Sequence, residues 1–183
     1  MLTEDELIKG CLRGEAQYQR QLYERFAGKM YAVCLRYARN PDDAPDILQD
    51  GFVRVFEKLG QFRSQGSFEG WIRRIMIHTA LRAYQRRRFA FEKDMLENAP
   101  DPGVGPDALN MLSEAELLDL IGRLPDGYRV IFNLVAIEGY THAEVADALN
   151  IQESTSRSQL TKARKWLISE LAKMQRINTT PKT

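Results

Sequence analysis

Apolar side chains recur along this chain at spacings of three and four residues, which is the period of an amphipathic α-helix. The pattern predicts four helices in the first half of the chain, over residues 4–13, 16–39, 43–59 and 71–88. It predicts four more in the second half, over 113–124, 128–138, 142–149 and 153–174. Because no segment shows convincing strand-like alternation, the chain is predicted to be all-α.

Capping residues predict where several of these helices begin and end. Asp42 is expected to cap the third helix, which places Pro45 in a first turn where its missing N–H costs nothing. Gly139 has the position of a C-terminal glycine. Thr141 and Glu144 have the Thr-x-x-Glu spacing of a capping box, which predicts the start of a short helix.

Composition divides the predicted helices into two domains. Residues 94–112 contain three prolines and two glycines and lack a core pattern for most of their length, which is typical of a flexible linker. The predicted domains are therefore residues 1–93 and 113–174, and the polar tail 175–183 is expected to be disordered.

Charge is segregated along the chain although the net charge is only +1. Residues 61–93 carry 8 basic and 2 acidic side chains, residues 94–150 carry 2 and 11, and residues 151–183 carry 7 and 2. Either basic block alone is explained as well by an ordinary solvated face. Two basic blocks on separate helical elements favour contact with nucleic acid at two points.

Several classes of protein lack support in the sequence. Cys11 and Cys34 lie in apolar helical patterns and are expected to be reduced, and His78 and His142 have no metal-ligand spacing. We find no nucleophile–base pair or phosphate-binding glycine loop, so no catalytic residue, metal, cofactor or small-molecule substrate is predicted. Without a long apolar run or a signal-like N-terminus, the protein is expected to be soluble and cytoplasmic.

The segment from residue 61 to 88 combines aromatic rings with a cationic helix face. Phe62 and Phe68 lie in a Gly/Ser/Gln-rich stretch that we interpret as a loop, where rings are better placed to contact a base than to be buried. Trp71 is consistent with either a core or a base contact. Positions 72, 75, 76, 79 and 83 form an apolar stripe, and the other face presents Arg74, His78, Arg82 and Arg86. Rings beside cations are typical of proteins that hold single-stranded nucleic acid.

The last two predicted helices have the form of a helix-turn-helix, with a turn at Asn150 and Ile151. The residues expected on the packing side are Ala143, Val145, Ala146, Leu149, Ile151, Leu160, Ala163 and Leu167. The residues expected to reach phosphates and base edges in a major groove are Ser154, Thr155, Arg157, Ser158, Thr161 and Lys162. A helical hairpin with a solvated basic face remains an alternative explanation of this pattern.

Three blocks, ARNPDDAPDILQDGFVRVFEKL, FRSQGSFEGWIRRIMIHTALRAYQRRR and LPDGYRVIFNLVAIEGYTHAEVADALNIQESTSRSQLTKARKWL, closely resemble bacterial RNA polymerase sigma factors of the extracytoplasmic-function (ECF) group. The resemblance covers about nine tenths of the chain in the family's order. It implies a sigma-2-like helical bundle that binds core polymerase and melts the minus-ten element. It also implies a sigma-4-like helix-turn-helix that reads the minus-thirty-five element.

The resemblance also implies roles for individual residues. It assigns Asp46, Gln49 and Asp50 to core-polymerase binding, and Phe62 to a loop aromatic that caps the pocket for a flipped-out base. The minus-ten single strand is then expected to contact Phe62, Arg63, Phe68, Trp71, Arg74, His78, Arg82 and Arg86. Two positions depart from the family pattern: His78 replaces the commonest Asn, and Ser156 replaces an apolar anchor.

The implied partners are core RNA polymerase, promoter DNA in duplex and single-stranded form, and an anti-sigma factor. The competing interpretation is a conventional helix-turn-helix regulator that binds duplex DNA as a symmetric dimer. It explains the second half of the chain equally well, but it does not explain aromatic rings beside a cationic helix near residue 70.

Overall fold

The computed structural model describes residues 2–91 and 114–178, which form two compact units within residues 1–93 and 94–183. Every regular element over these described ranges is helical and none is a strand, so the prediction of an all-α chain is confirmed. The predicted linker, residues 94–112, lies outside the described residues. No helix in the described ranges is long and apolar enough to cross a membrane.

Over residues 2–91 the first unit contains four α-helices: α1 (Glu4–Leu12), α2 (Ala16–Tyr37), α3 (Ala44–Lys58) and α4 (Phe68–Phe91). Single 3₁₀ turns, Pro41–Asp43 and Leu59–Gln61, lie on either side of α3. Helix α4 packs against both α2 and α3, these two pack against each other, and α1 packs on α2. The four helices thereby enclose one apolar core.

The core of the first unit takes side chains from all four helices, among them Leu7, Leu22, Phe26, Met30, Val33, Ile47, Phe52, Val55, Ile72 and Met76. Gly51 allows α3 and α4 to approach closely, because a Cβ atom at this position would lie 2.1 Å from the Met76 Sδ atom. Cys11 and Cys34 are buried free thiols, as predicted, and burial raises the pKa of Cys34 to about 12. Leu35 of α2 is apolar but 38% exposed.

The described part of the second unit, residues 114–178, contains α5 (Glu114–Gly122), α6 (Asp126–Phe132), α7 (His142–Leu149) and α8 (Glu153–Asn178), and a π turn, Asn133–Ile137, extends α6. The long helix α8 packs against the other three. The predicted capping box of Thr141 and Glu144 is present, and Gly139 has the predicted positive φ of 76°. Asn150 ends α7 in the left-handed conformation (φ 52°, ψ 53°), as the predicted turn requires.

Several predicted boundaries are wrong by a few residues. Helix α4 begins three residues before the predicted start, α6 begins at Asp126, and Asp43 rather than Asp42 precedes α3. Helix α8 continues to Asn178, so the first four residues of the predicted disordered tail are helical. In α7, Ala143 is exposed although the pattern placed it on the packing side.

Candidate nucleic-acid interface

One side of α4 carries an exposed row of three arginines and one histidine, which we call the cationic face: Arg74, His78, Arg82 and Arg86. Their four-residue spacing keeps them on one side of the helix, as predicted from the sequence. The opposite side is buried more broadly than the predicted stripe, since Ile77, Ala80 and Leu81 are also in the core. The helix thus presents its positive charge to solvent from a rigid, packed element.

His78 lies among cations, and its protonation responds to them. His78 is exposed, yet the protein around its ring removes part of its hydration and so lowers its pKa, and the nearby charges of Arg74, Arg82 and Lys58 lower it further. At neutral pH the ring is therefore uncharged and can both donate and accept a hydrogen bond. The sequence pattern did not indicate the contribution of Lys58, which is the last residue of α3.

The three rings at the start of α4 are in mutual contact, and we call them the aromatic cluster: Phe62, Phe68 and Trp71. The ring centroid of Phe62 lies 5.0 Å from that of Phe68 and 5.5 Å from that of Trp71. The rings of Phe68 and Trp71 are nearly parallel, at 12°, with centroids 5.8 Å apart. Phe62 and Trp71 are half-buried, so each keeps part of its ring open to solvent.

Phe68 differs from its predicted role as an open loop residue and base contact. It is the first residue of α4, it is 0% exposed, and its ring meets Phe26 of α2 edge-on at 5.6 Å. The cause is the early helix start: the Ser67 hydroxyl accepts a hydrogen bond from the Gly70 N–H, which caps α4 before Phe68. Phe68 is a core residue on which Phe62 and Trp71 rest.

The loop before α4 and the start of the helix are held by local backbone geometry and one ion pair. Ser64 and Gly66 both have positive φ values, 54° and 107°, which turn the chain sharply after Phe62. Lys29 of α2 pairs with Glu69 in the first turn of α4, with Nζ and Oε2 2.6 Å apart. Arg63 is exposed in this loop.

Helix α3 presents an exposed acidic face that includes the predicted Asp46, Gln49 and Asp50. Val53 and Glu57 continue the same side of the helix at spacings of three and four residues. Val53 is 52% exposed, and the sequence pattern gave it no role.

This acidic face borders the basic end of α4. An Asp50 carboxylate oxygen lies 4.0 Å from Arg86 Nη2, and Asp43 accepts a 2.6 Å hydrogen bond from Arg87. Arg87 is therefore held by an internal partner, whereas Arg86 remains exposed.

In the second unit, α7 and α8 form the predicted helix-turn-helix. Of the side chains predicted to contact DNA, Ser154, Arg157, Ser158, Thr161 and Lys162 are exposed and Thr155 is half-buried. The hydroxyls of Ser158 and Thr161 donate to the backbone carbonyls of Thr155 and Arg157, each at 3.0 Å. Arg157 also forms an ion pair with Glu153, one turn earlier in α8, which the sequence pattern did not single out.

Ser156 lies among these α8 residues in sequence, but its side chain points inward. It is 0% exposed, and its Oγ is 2.8 Å from the Nδ1 atom of His142 at the start of α7. The sequence predicted the loss of an apolar anchor here, and the structure supplies a polar contact instead. Over the described residues, no group of three or more His, Cys, Asp or Glu side chains could hold a metal ion.

Known proteins match both units. The Sigma-70 region 2 family matches residues 22–90, and the Sigma-70, region 4 family matches residues 114–167. The ECF RNA polymerase sigma-E factor of Haemophilus influenzae is 26% identical over 182 residues, covering 93% of this chain and 96% of its own. The ECF RNA polymerase sigma-E factor of Escherichia coli K12 is 29% identical over 176 residues, covering 89% and 91%.

A solved structure has the same fold. It is the complex of the sigma factor RpoE with the anti-sigma factor NepR from Bartonella quintana, with a TM-score of 0.50 and 18% identity, covering 84% of this chain and 96% of that one. The chain belongs to the sigma-70 family of RNA polymerase sigma factors, in its ECF group. The predicted combination of a sigma-2-like bundle and a sigma-4-like helix-turn-helix is confirmed.

Proposed function

We propose that this chain binds core RNA polymerase, captures and melts the minus-ten element with the first unit, and reads the minus-thirty-five element with the second. The observation that carries the proposal is the aromatic cluster at the N-terminal end of the cationic face on α4. A base can stack on a half-buried ring, and the neighbouring arginines can neutralise the phosphates of the same strand.

The first unit is suited to holding a strand that is already unstacked. Phe62 and Trp71 rest on the buried Phe68 ring, so a base that stacks on either meets a ring of fixed orientation. Unstacking costs a few kcal/mol per base step, and base–aromatic stacking returns roughly 1–3 kcal/mol per base. The arginines of the cationic face add electrostatic attraction, so binding to the open strand offsets the cost of opening.

The acidic face of α3 is the proposed polymerase-binding surface. Asp46, Gln49 and Asp50 supply charge and hydrogen-bond acceptors, and the exposed Val53 adds an apolar contact on the same side. Such a face suits a helical partner that presents cationic and apolar side chains together. The surface adjoins α4 through Arg86 and Asp50, so polymerase and the opened strand would be held by neighbouring elements of one unit.

In the second unit, the N-terminal half of α8 is the proposed recognition helix. Among the side chains proposed to contact DNA, only Arg157 and Lys162 are long, and the short ones allow the helix to enter the major groove closely. Arg157 is the strongest candidate for base-edge contact, since a guanidinium can donate two hydrogen bonds to a guanine. Ser154 and Thr155 are suited to phosphate contacts, and the hydroxyls of Ser158 and Thr161 can make them by turning away from the backbone carbonyls to which they donate.

We also propose that an anti-sigma factor regulates the chain. The chain itself is proposed to act in the cytoplasm, where RNA polymerase is found. The anti-sigma proposal rests on the ECF group and on the RpoE–NepR complex, whose sigma factor has the same fold. No catalytic chemistry is required, because capture of the open strand and contacts in the major groove can supply promoter specificity by binding.

The test is run-off transcription with purified core polymerase, with and without the full chain, on genomic fragments of the source bacterium. Sequencing the 5′ ends should reveal start sites that share two upstream elements and depend on the chain. Templates with a pre-melted minus-ten bubble should reduce the effect of variants in the aromatic cluster. If the chain binds palindromic duplexes but never confers initiation on core polymerase, it is a conventional regulator and the proposal is wrong.

A further inference from the structure

Ser156 differs from its neighbours on α8 because it is fully buried. Thr155 and Arg157 on either side of it have solvent-accessible side chains, whereas Ser156 is 0% exposed. A hydroxyl group removed from water costs free energy unless it gains a hydrogen-bond partner. The position therefore needs either an apolar side chain or a matched polar one.

His142 provides that partner from the other helix of the helix-turn-helix. Its Nδ1 atom lies 2.8 Å from Ser156 Oγ, and its ring is half-buried. His142 is the first residue of α7, directly after Thr141, whose capping box fixes the start of the helix. Ser156 lies in the first turn of α8, so this hydrogen bond joins α7 directly to the recognition helix.

The hydrogen bond and the Asn150 turn hold α7 at two separate places. The turn joins the C-terminal end of α7 to the start of α8, and the His142 contact starts from the N-terminal end of α7. Two connections at opposite ends of a short helix restrict its crossing angle with α8. Because a hydrogen bond is directional, it also restricts rotation of α8 about its own axis, which an apolar contact does less strictly.

We propose that His142 is a positioning residue for minus-thirty-five recognition: through Ser156 it sets the orientation in which α8 presents Thr155 and Arg157 to the major groove. The inference rests on the proposed function of α8 in DNA binding. His142 acts through Ser156 and needs no contact with DNA itself. Loss of the contact should therefore reduce discrimination between DNA sequences in a protein that is still folded.

The experiment compares two single variants, Ser156→Ala and His142→Phe, with the double variant that combines them. The full chain is bound to duplexes with the intact or a scrambled minus-thirty-five element, and the ratio of the two affinities is measured. His142→Phe leaves a buried hydroxyl unpaired, so its ratio should fall about tenfold, which corresponds to about 1.4 kcal/mol. The double variant lacks the same hydrogen bond, so its ratio should be no lower than that of either single variant, whereas independent effects would multiply.

Glu170→Ala is the matched control, because it removes a contact with Lys173 that lies within α8 and crosses no helix boundary. Its ratio should stay within about twofold of the wild type. Far-UV circular dichroism defines a temperature at which each variant is folded, and binding is measured there. If His142→Phe does not fold, Ser156→Ala is compared with the double variant: both lack the hydrogen bond, so their ratios should be equal, and a further fall in the double variant would overturn the inference.

The inference is wrong if the folded single variants keep the wild-type ratio, or if the two substitutions have additive effects. Parallel transcription assays with core polymerase separate this result from the proposed function. A wild-type chain that discriminates duplexes but does not initiate transcription would refute the proposed function, while the variant cycle would still test His142. A wild-type chain with no discrimination would refute both.

Discussion

Replacing Phe62 with alanine removes the ring of the aromatic cluster that lies in the loop before α4. In the free chain this ring contacts Phe68 and Trp71 with centroids 5.0 and 5.5 Å away, and part of it stays open to solvent. Phe68 is fully buried and also contacts Phe26, so the rest of the cluster should keep its place. The substitution therefore removes a base-stacking surface while leaving the core of the unit largely intact.

The expected effect follows from the stacking that is lost. Base–aromatic stacking contributes roughly 1–3 kcal/mol per base, so open-complex formation on duplex promoters should fall by about 5- to 150-fold. Affinity for core polymerase should stay within about twofold of the wild type, because the acidic face of α3 does not include Phe62. The loss on a pre-melted template should be smaller, since the cost of opening no longer has to be offset.

The assay uses 2-aminopurine in the minus-ten non-template strand, whose fluorescence rises when the base leaves the stack, together with a separate anisotropy measurement of core binding. Leu12→Ala is the matched control, because Leu12 is an apolar side chain of the same unit, 55% exposed and outside the cluster. It should open promoters at the wild-type rate. Normal opening by Phe62→Ala, or an equal loss of opening and core affinity, would refute the role of this ring.

Three further predictions concern other parts of the chain. Glu153→Ala removes the ion-pair partner of Arg157 and a negative charge from the proposed DNA-binding surface. Affinity for unrelated duplex should therefore rise about threefold, while discrimination between sequences falls. A fall in affinity for unrelated duplex, measured by fluorescence anisotropy, would contradict this. Gly51→Ala places a Cβ atom 2.1 Å from Met76 Sδ and should lower the free energy of unfolding by about 1–2 kcal/mol. Gly28 is an exposed helical glycine with open space where a Cβ would lie, so Gly28→Ala should raise the free energy of unfolding by about 0.5–1 kcal/mol. Equal effects of the two substitutions in thermal unfolding would be inconsistent with this packing. The pKa of His78 is lowered from 6.5 in the folded chain, so as the pH falls the imidazole is protonated in the unfolded chain before it is protonated in the folded chain. The free energy of unfolding of the wild type therefore decreases, whereas that of His78→Asn lacks this contribution. The difference in free energy of unfolding between His78→Asn and wild type should therefore grow from about pH 7.5 to about pH 5.5, and a difference independent of pH would count against the shift.

Local sequence predicted the helices well because their signals are local. The capping box at Thr141, the left-handed Asn150 and the four-residue spacing of the cationic face all depend on neighbours within a few residues. Phe68 was misplaced because its surroundings have the composition of a loop, although Ser67 is a capping residue and Glu69 is suited to a first turn. These two residues were a signal for the earlier helix start.

Other features depend on contacts between distant parts of the chain and could not be inferred from local pattern. The burial of Ser156 is compatible with its hydroxyl only because His142, fourteen residues earlier, lies opposite it. The exposure of Leu35 depends on which side of α2 is covered by α1, α3 and α4. Helical periodicity indicates which side of a helix is buried, but it does not show how many neighbouring helices cover that side.

Strand opening at the minus-ten element is the most direct measurement of the central claim. Permanganate reacts with unstacked thymines, so a promoter identified by run-off sequencing can be probed with core polymerase alone, with the chain alone, and with both. We predict reactive thymines in the minus-ten region only when polymerase and the full chain are both present, and a much weaker signal with Phe62→Ala. Unreactive thymines with both components present, on a duplex that the chain demonstrably binds, would contradict the account.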